Sequence, residues 1–240
     1  MGLAIPYFGL CDDTSRAADT LLPVDVALVF AIDGSGSIKS NEFRFQVAAI
    51  VEAIGAPDVM RAIQSERHGR IAVNFVIWGD ATLPSQTGKW CIIKTSDDAQ
   101  VFASALNSLQ RQTVGNTGVA AGIGDALIML DHLPFLADRR VVDVSGDGSE
   151  TTLVRPRGKT QWRRILSHRM VTDLAQKMGV TINGLALPSD EPELADWYSR
   201  NVAVGDDSFV MSVSSFDGVA TAMHRKLLRE IGPVSTAGLR

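Results

Sequence analysis

The sequence is poor in cysteine, has no surplus of basic charge and contains no long apolar segment. Its two cysteines, Cys11 and Cys91, belong to no Cys-x-x-Cys or Cys/His cluster. A disulfide framework and a structural zinc site are therefore both disfavoured, and whether the two cysteines pair stays open. The formal net charge of −4 gives no reason to expect binding to nucleic acid or to anionic membranes. No apolar run approaches the ~20 residues that a transmembrane helix needs.

The sequence also has no linker rich in proline, serine or glycine, which favours a single domain among its 240 residues. We expect this domain to span residues 22–232. Residues 1–21 would then form an amino-terminal arm or the remnant of a targeting segment, and residues 233–240 a loose tail. The arm starts with apolar residues but lacks the basic segment of a secretory signal.

The most informative stretch is an apolar run, residues 24–32, that leads directly into Asp33-Gly-Ser-Gly-Ser37. Its length and composition predict a strand buried on both faces. Ligands of open α/β sheets bind outside the carboxyl ends of the strands. Asp33, Ser35 and Ser37 alternate there, so three oxygens can converge on a hard cation such as Mg²⁺.

Apolar strand patterns alternate with helical patterns along the rest of the chain. This alternation predicts a three-layer α/β/α, Rossmann-like open sheet of about six mostly parallel strands, with helices on both faces and strand 24–32 in the centre. The predicted strands are 24–32, 70–78, 90–94, 139–145, 180–187 and 208–213. The predicted helices are 41–54, 58–65, 96–109, 117–132, 161–178, 193–201 and 216–231. Asp143 lies in the middle of a strand among valines, so it should require a buried polar partner.

Together with two later segments, the Asp33 stretch resembles the metal-ion-dependent adhesion site of von Willebrand factor type A (VWA) domains. Asp33-x-Ser35-x-Ser37 corresponds to the first element of that site. Gly115-Asn-Thr117 corresponds to the second and Asp147-Gly148 to the third, in the family's order and spacing. Thr113 is a weaker alternative to Thr117. The resemblance covers roughly residues 22–232, and the chain looks most like a bacterial branch of unknown function.

The resemblance implies a ligand set and a role. Ser35, Ser37 and Thr117 would bind the cation directly, and Asp33 and Asp147 directly or through water. The ion would be Mg²⁺, with Mn²⁺ or Ca²⁺ as alternatives. A partner protein would complete the coordination with an acidic side chain. Relatives of this type are often exported, which favours an exported or periplasmic location, and in the family strand 90–94 would be an antiparallel edge strand.

Two other functions compete with this reading. A phosphatase of the haloacid dehalogenase type would need a second acid at position 35, where Ser35 stands. A serine hydrolase elbow around Ser35 would need glycines at positions 33 and 37. The four histidines fall in predicted helices or at their ends, so none is placed as a base for Ser35. We therefore expect a binding module without enzymatic activity, with a Mg²⁺-dependent phosphatase-like hydrolase and a structural VWA domain with a vestigial site as alternatives.

Overall fold

The computed structural model describes residues 21–113, 115–151 and 167–232, and within them one seven-stranded sheet. The strands are β1 (Pro23–Asp33), β2 (Ile71–Trp78), β3 (Gln86–Thr87), β4 (Cys91–Ile93), β5 (Leu136–Gly146), β6 (Val180–Ala186) and β7 (Val210–Ser212). The sheet order is β3-β2-β1-β5-β6-β7, and β4 also pairs with β2. The five neighbouring strands β2, β1, β5, β6 and β7 run parallel to one another, whereas β3 and β4 run antiparallel to β2. The mostly parallel sheet, the central position of β1 and the antiparallel edge strand are therefore confirmed.

Helices cover both faces of the sheet because the side chains of β1 alternate between two apolar clusters. The helices are α1 (Ser40–Gly55), α2 (Pro57–Ser65), α3 (Ser96–Asn107), α4 (Val119–Asp131), α5 (His168–Met178), α6 (Leu194–Asn201) and α7 (Val219–Ile231). Leu28, Phe30 and Ile32 pack in one cluster with α1, α2, α3 and α7. Val29 and Ala31 pack in the other, with α4, α5 and α6. The period-two alternation of a fully buried strand thus produces the three layers. None of the helices in the described ranges is long and apolar enough to cross a membrane.

Two elements differ from their predictions for local reasons. Strand β3 lies between the predicted strands 70–78 and 90–94 and was not itself predicted. Only two of its residues pair with β2, and so short a segment has no periodicity. Helix α4 begins at Val119 rather than Thr117. Its Gly122 faces the buried Trp78, where a Cβ would lie 2.4 Å from the indole Cγ, so glycine permits the helix to approach the sheet closely. Trp78 is a core residue, 1 % exposed.

Several predictions fall on residues that the structure does not describe. These are the arm up to residue 20, Cys11, residues 161–166 of the predicted fifth helix, and the tail 233–240. Whether Cys11 pairs with Cys91 therefore stays open, and the boundaries of the domain stay predictions.

Asp143 has the buried polar partner that its position in the strand requires. Lys226 Nζ lies 2.8 Å from Asp143 Oδ1 and 2.6 Å from Glu230 Oε1, and Asn183 Nδ2 donates to the same Glu230 oxygen at 2.8 Å. Burial raises the pKa of Glu230 to about 8, and the charge of Asp143 adds to the shift, whereas Lys226 opposes it. This buried cluster joins α7 to β5 and β6.

Candidate metal centre

The five predicted ligands lie on three loops at the carboxyl end of the sheet. Asp33 is the last residue of β1 and is fully buried, and Ser35 and Ser37 follow it in the β1–α1 loop. Asp147 follows the last residue of the neighbouring strand β5, and Thr117 lies just before α4. Because β1 and β5 are adjacent and parallel, their carboxyl ends bring Asp33 and Asp147 together.

Hydrogen bonds connect four of these five residues directly. The hydroxyls of Ser35 and Ser37 are 3.0 Å apart, and Ser37 Oγ donates to Asp147 Oδ1 at 2.7 Å. The Asp33 carboxylate accepts the backbone N–H of Ser35 at 2.7 Å and that of Asp147 at 3.4 Å. Two carboxylates and two hydroxyls therefore form one contiguous group of oxygens.

Thr117 belongs to the same corner of the molecule. A Cβ placed on Gly148 would lie 3.7 Å from Thr117 Oγ1, so the hydroxyl sits beside the Asp147-Gly148 turn. Thr117 and Thr151 also exchange hydrogen bonds of 2.9 Å that hold the two loops together. Thr113, the alternative, is buried behind the first loop, and its Oγ1 donates to Gly34 O at 3.4 Å. The positions favour Thr117 over Thr113 as the candidate ligand.

Buried polar contacts fix the β1–α1 loop in place. Gln46, on α1, donates to Asp33 O at 3.1 Å and accepts from Ser145 Oγ at 2.9 Å, which links β1 to β5. Gly36 N donates to Gly115 O at 2.8 Å, and Arg111 donates to Ser35 O at 3.2 Å. The loop conformation is thus determined by its surroundings before any ligand arrives, a form of preorganisation.

Aromatic residues that the sequence motif does not contain form the floor beneath Asp33. A Cβ on Gly146 would lie 2.8 Å from Asp33 Oδ2, 2.5 Å from Tyr198 Oη and 3.2 Å from the Trp78 ring. Glycine at 146 therefore lets both aromatic side chains approach the carboxylate. Tyr198 Oη and Trp78 Nε1 are buried and have no hydrogen-bond partner among the described residues. No sequence signal marked Tyr198, because it lies 165 positions after Asp33 on a different element.

The electrostatics of the site call for a cation. Burial raises the pKa of Asp33 to about 7, and the charge of Asp147 raises it further. Hydrogen bonds from Ser35 and from the Asp147 backbone oppose the rise. Burial also raises the pKa of Asp147, as do the charges of Glu42 and Glu191, although the bond from Ser37 opposes the shift. No basic side chain in the described ranges forms an ion pair with Asp33 or Asp147. Hydroxyl and carboxylate oxygens suit a hard divalent cation, and such an ion would supply the missing positive charge. The residues present therefore fit a metal ion.

Solved structures with a similar fold include known VWA domains. Proximal thread matrix protein 1 from the mussel byssus, solved with a zinc-occupied MIDAS motif (a metal-ion-dependent adhesion site), is 17% identical with a TM-score of 0.58, covering 90% of this chain and 47% of its own. The pilus adhesin SpaC from Lactobacillus rhamnosus GG is 14% identical with a TM-score of 0.57, covering 89% of this chain and 31% of its own. A von Willebrand factor type A protein from Catenulispora acidiphila is 14% identical with a TM-score of 0.55, covering 87% and 43%. This chain thus spans less than half the length of these three proteins. Their likeness shows that it has the VWA fold.

Sequence comparisons place the chain more narrowly. No curated protein gives a significant match. The profile of one family, described as "Protein of unknown function (DUF1194)", matches residues 23–235, nearly the whole sequence. The chain therefore belongs to the DUF1194 family and has the fold of a von Willebrand factor type A domain.

Proposed function

We propose that this protein is a metal-ion-dependent protein-binding module. Asp33, Ser35, Ser37, Thr117 and Asp147 would hold a divalent cation, and an acidic side chain of a partner protein would complete its coordination. The observation that carries the proposal is the pair of carboxylates, Asp33 and Asp147, joined through hydroxyls and without an ion-pairing basic side chain in the described structure. Mg²⁺ is the favoured ion because it prefers all-oxygen ligation, and Mn²⁺ and Ca²⁺ are the alternatives.

The residues divide the work of holding the cation. The two carboxylates balance its charge, and the three neutral hydroxyls of Ser35, Ser37 and Thr117 leave it electron-poor. A bound cation would supply a Lewis-acidic centre that attracts a carboxylate. The chain's own residues orient the site, since Gln46 and the backbone of Trp78 hold the β1–α1 loop.

The charges around the site make the cation essential for an acidic partner. Glu42 and Glu191 add negative charge close enough to raise the pKa of Asp147. Without a cation, a partner carboxylate would meet an acidic surface and be repelled. We therefore expect the acidic partner to bind only when the metal ion is present.

Fold neighbours support an adhesive role outside the cytoplasm. One is a pilus adhesin and another is a matrix protein of the mussel byssus with zinc in its adhesion site. By analogy, this chain would act as an exported adhesion or scaffold module. Catalysis is the competing hypothesis, but Ser35 stands where a phosphatase would need its second acid, and Ser35 Oγ pairs with Ser37 rather than with a base.

Capture of a partner tests the proposal. The full chain is immobilised and exposed to extracellular and periplasmic extracts of the source cells with millimolar Mg²⁺ or with chelator. Captured proteins should be absent with chelator and with Asp33→Ala, but retained by Asp131→Ala, an exposed carboxylate at the end of α4. Purified partner should then lose binding when its contacting carboxylate is replaced by the amide.

Two results would contradict the proposal. Capture that survives both chelation and Asp33→Ala would show that the site is not the binding surface. Hydrolysis of p-nitrophenyl phosphate that requires both Mg²⁺ and Asp33 would favour the phosphatase alternative.

A further inference from the structure

A second group of metal-ligating side chains lies at the amino end of the sheet, opposite the candidate metal centre. Asp25 is in β1, Asp138 is in β5, and His68 is in the connection between α2 and β2. The β1–β5 register pairs Val24 with Ala137 and Val26 with Arg139, so Asp25 and Asp138 are neighbours on adjacent strands. The fold therefore brings three residues from three elements to one point.

The three side chains are close enough to share an ion. Each offers one ligand atom, and these atoms all lie within 4.8 Å of one another. Ligands that bind one zinc ion at about 2.1 Å are at most about 4.2 Å apart, so closing the site needs shifts of roughly 1 Å. Asp138, whose side chain is 42% exposed, has the freedom to make that shift.

The histidine nitrogen that faces this group is unusual. His68 Nε2 is buried and makes no hydrogen bond within the described structure, although Asp138 Oδ2 lies 3.2 Å away. The contact with Asp138 is an ion pair only when the imidazole is protonated, and a cation shared by Nε2 and the carboxylate would satisfy the nitrogen of the neutral imidazole. The position of this nitrogen toward two carboxylates points to such a cation.

Asp25 is preorganised for this role. It is 3% exposed, and its two oxygens accept the backbone N–H groups of His68 at 2.7 Å and Arg70 at 3.1 Å. Gly69 between them has φ +62°, which lets the chain turn and present the His68 ring. Each carboxylate oxygen keeps a second lone pair for a cation. Backbone hydrogen bonds of this kind commonly orient metal ligands.

The donor set identifies the class of ion. One imidazole and two carboxylates favour a divalent transition metal such as Zn²⁺ over Mg²⁺ or Ca²⁺, and the two carboxylates balance its charge. Three protein ligands also leave a position for water. Arg67 competes only weakly with a metal ion for the Asp138 carboxylate, because its guanidinium lies 4.0 Å from Asp138 and its side chain is 79% exposed. We propose that Asp25, His68 and Asp138 form a second metal site, selective for Zn²⁺-like ions and separate from the Asp33 centre.

Zinc titration of the full chain by calorimetry tests this second site. The titrations use Asp33→Ala, in excess Mg²⁺, so that the Asp33 centre does not contribute. One Zn²⁺ should bind per chain. Adding His68→Gln or Asp138→Asn should weaken Zn²⁺ binding at least ~100-fold. Loss of a residue that only hydrogen-bonds to a ligand costs up to ~100-fold, so loss of a direct ligand should cost at least as much. His132→Gln, an exposed histidine beside Asp131, should leave binding unchanged.

Melting curves without metal will check that each variant is folded, so that a loss of binding reports the ligand and not the fold. The proposal is overturned if Asp33→Ala takes up no Zn²⁺ at micromolar concentrations. It is also overturned if His68→Gln binds Zn²⁺ as well as its parent.

Discussion

Replacing Lys226 with methionine should destabilise the protein severely, because it would leave the buried carboxylate of Asp143 without its cation. Lys226 is fully buried and contacts both Asp143 and Glu230. The oxygens of Asp143 make no hydrogen bond within the described structure, so the ammonium group is their only charged partner there. Methionine has a similar length but no charge. Removing one member of a buried ion pair costs ~3–5 kcal/mol, out of a typical total of about 5–15 kcal/mol.

Urea unfolding followed by circular dichroism measures this loss. Lys89→Met, at an exposed loop position, is the matched control and should change the free energy of unfolding by less than ~0.5 kcal/mol. The double variant Lys226→Met/Asp143→Leu should recover much of the loss, because apolar replacement of a whole buried pair is often neutral. A loss below about 1 kcal/mol in the single variant would refute the reasoning, and so would a double variant no more stable than the single one.

Three further predictions concern pH, packing and metal. The pKa of Glu230 is raised from 4.5 to about 8, so the folded state binds more protons than the unfolded state between these values. Its stabilising contribution is complete below pH 4.5 and is lost as the pH rises through about 8. The urea midpoint of the wild type should therefore fall between pH 5 and 9, and Glu230→Gln should remove the part of that fall that Glu230 causes. Gly146→Ala should cost ~1–3 kcal/mol and weaken Mg²⁺ binding, because its methyl group would press on Tyr198 and Asp33, whereas Gly55→Ala, with open space around it, should be harmless. Saturating Mg²⁺ should stabilise the chain by about 2.7 kcal/mol at a hundredfold excess over Kd, or roughly 5–10 °C in Tm, and Asp33→Ala should abolish the shift in scanning fluorimetry. An unchanged Tm in wild type at millimolar Mg²⁺ or Mn²⁺ would favour the vestigial-site alternative.

The fold was predictable because its signals are local and repeated. A strand such as β1, apolar at nearly every position, must be buried on both faces and therefore central. Alternation with amphipathic helices then requires a parallel sheet. Strand β3 was missed because two residues carry no pattern, and its pairing with Val76 and Ile77 depends on the tertiary fold alone.

The candidate site was predictable only where its residues lie in motifs. Asp33 ends one strand, with Ser35 and Ser37 alternating after it, and Asp147 directly follows another, so strand order alone brings them together. The surrounding structure was not predictable. Tyr198 approaches Asp33 only through the packing of α6. Lys226 contacts Asp143, which lies 83 positions earlier in the sequence. Pairings over such distances in the chain leave no trace in periodicity or spacing.

Anomalous diffraction from crystals grown with Mn²⁺ tests the central claim most directly, since it locates the ion without any assumption about its ligands. The account predicts an anomalous peak at the carboxyl end of the sheet. Ser35, Ser37 and Thr117 should lie within about 2.3 Å of it, and Asp33 and Asp147 should be bound directly or through one water. At least one further position should hold water or a carboxylate from a neighbouring molecule. Absence of a peak there, or a peak that Thr117 and Asp147 do not approach, would contradict a metal-dependent binding site.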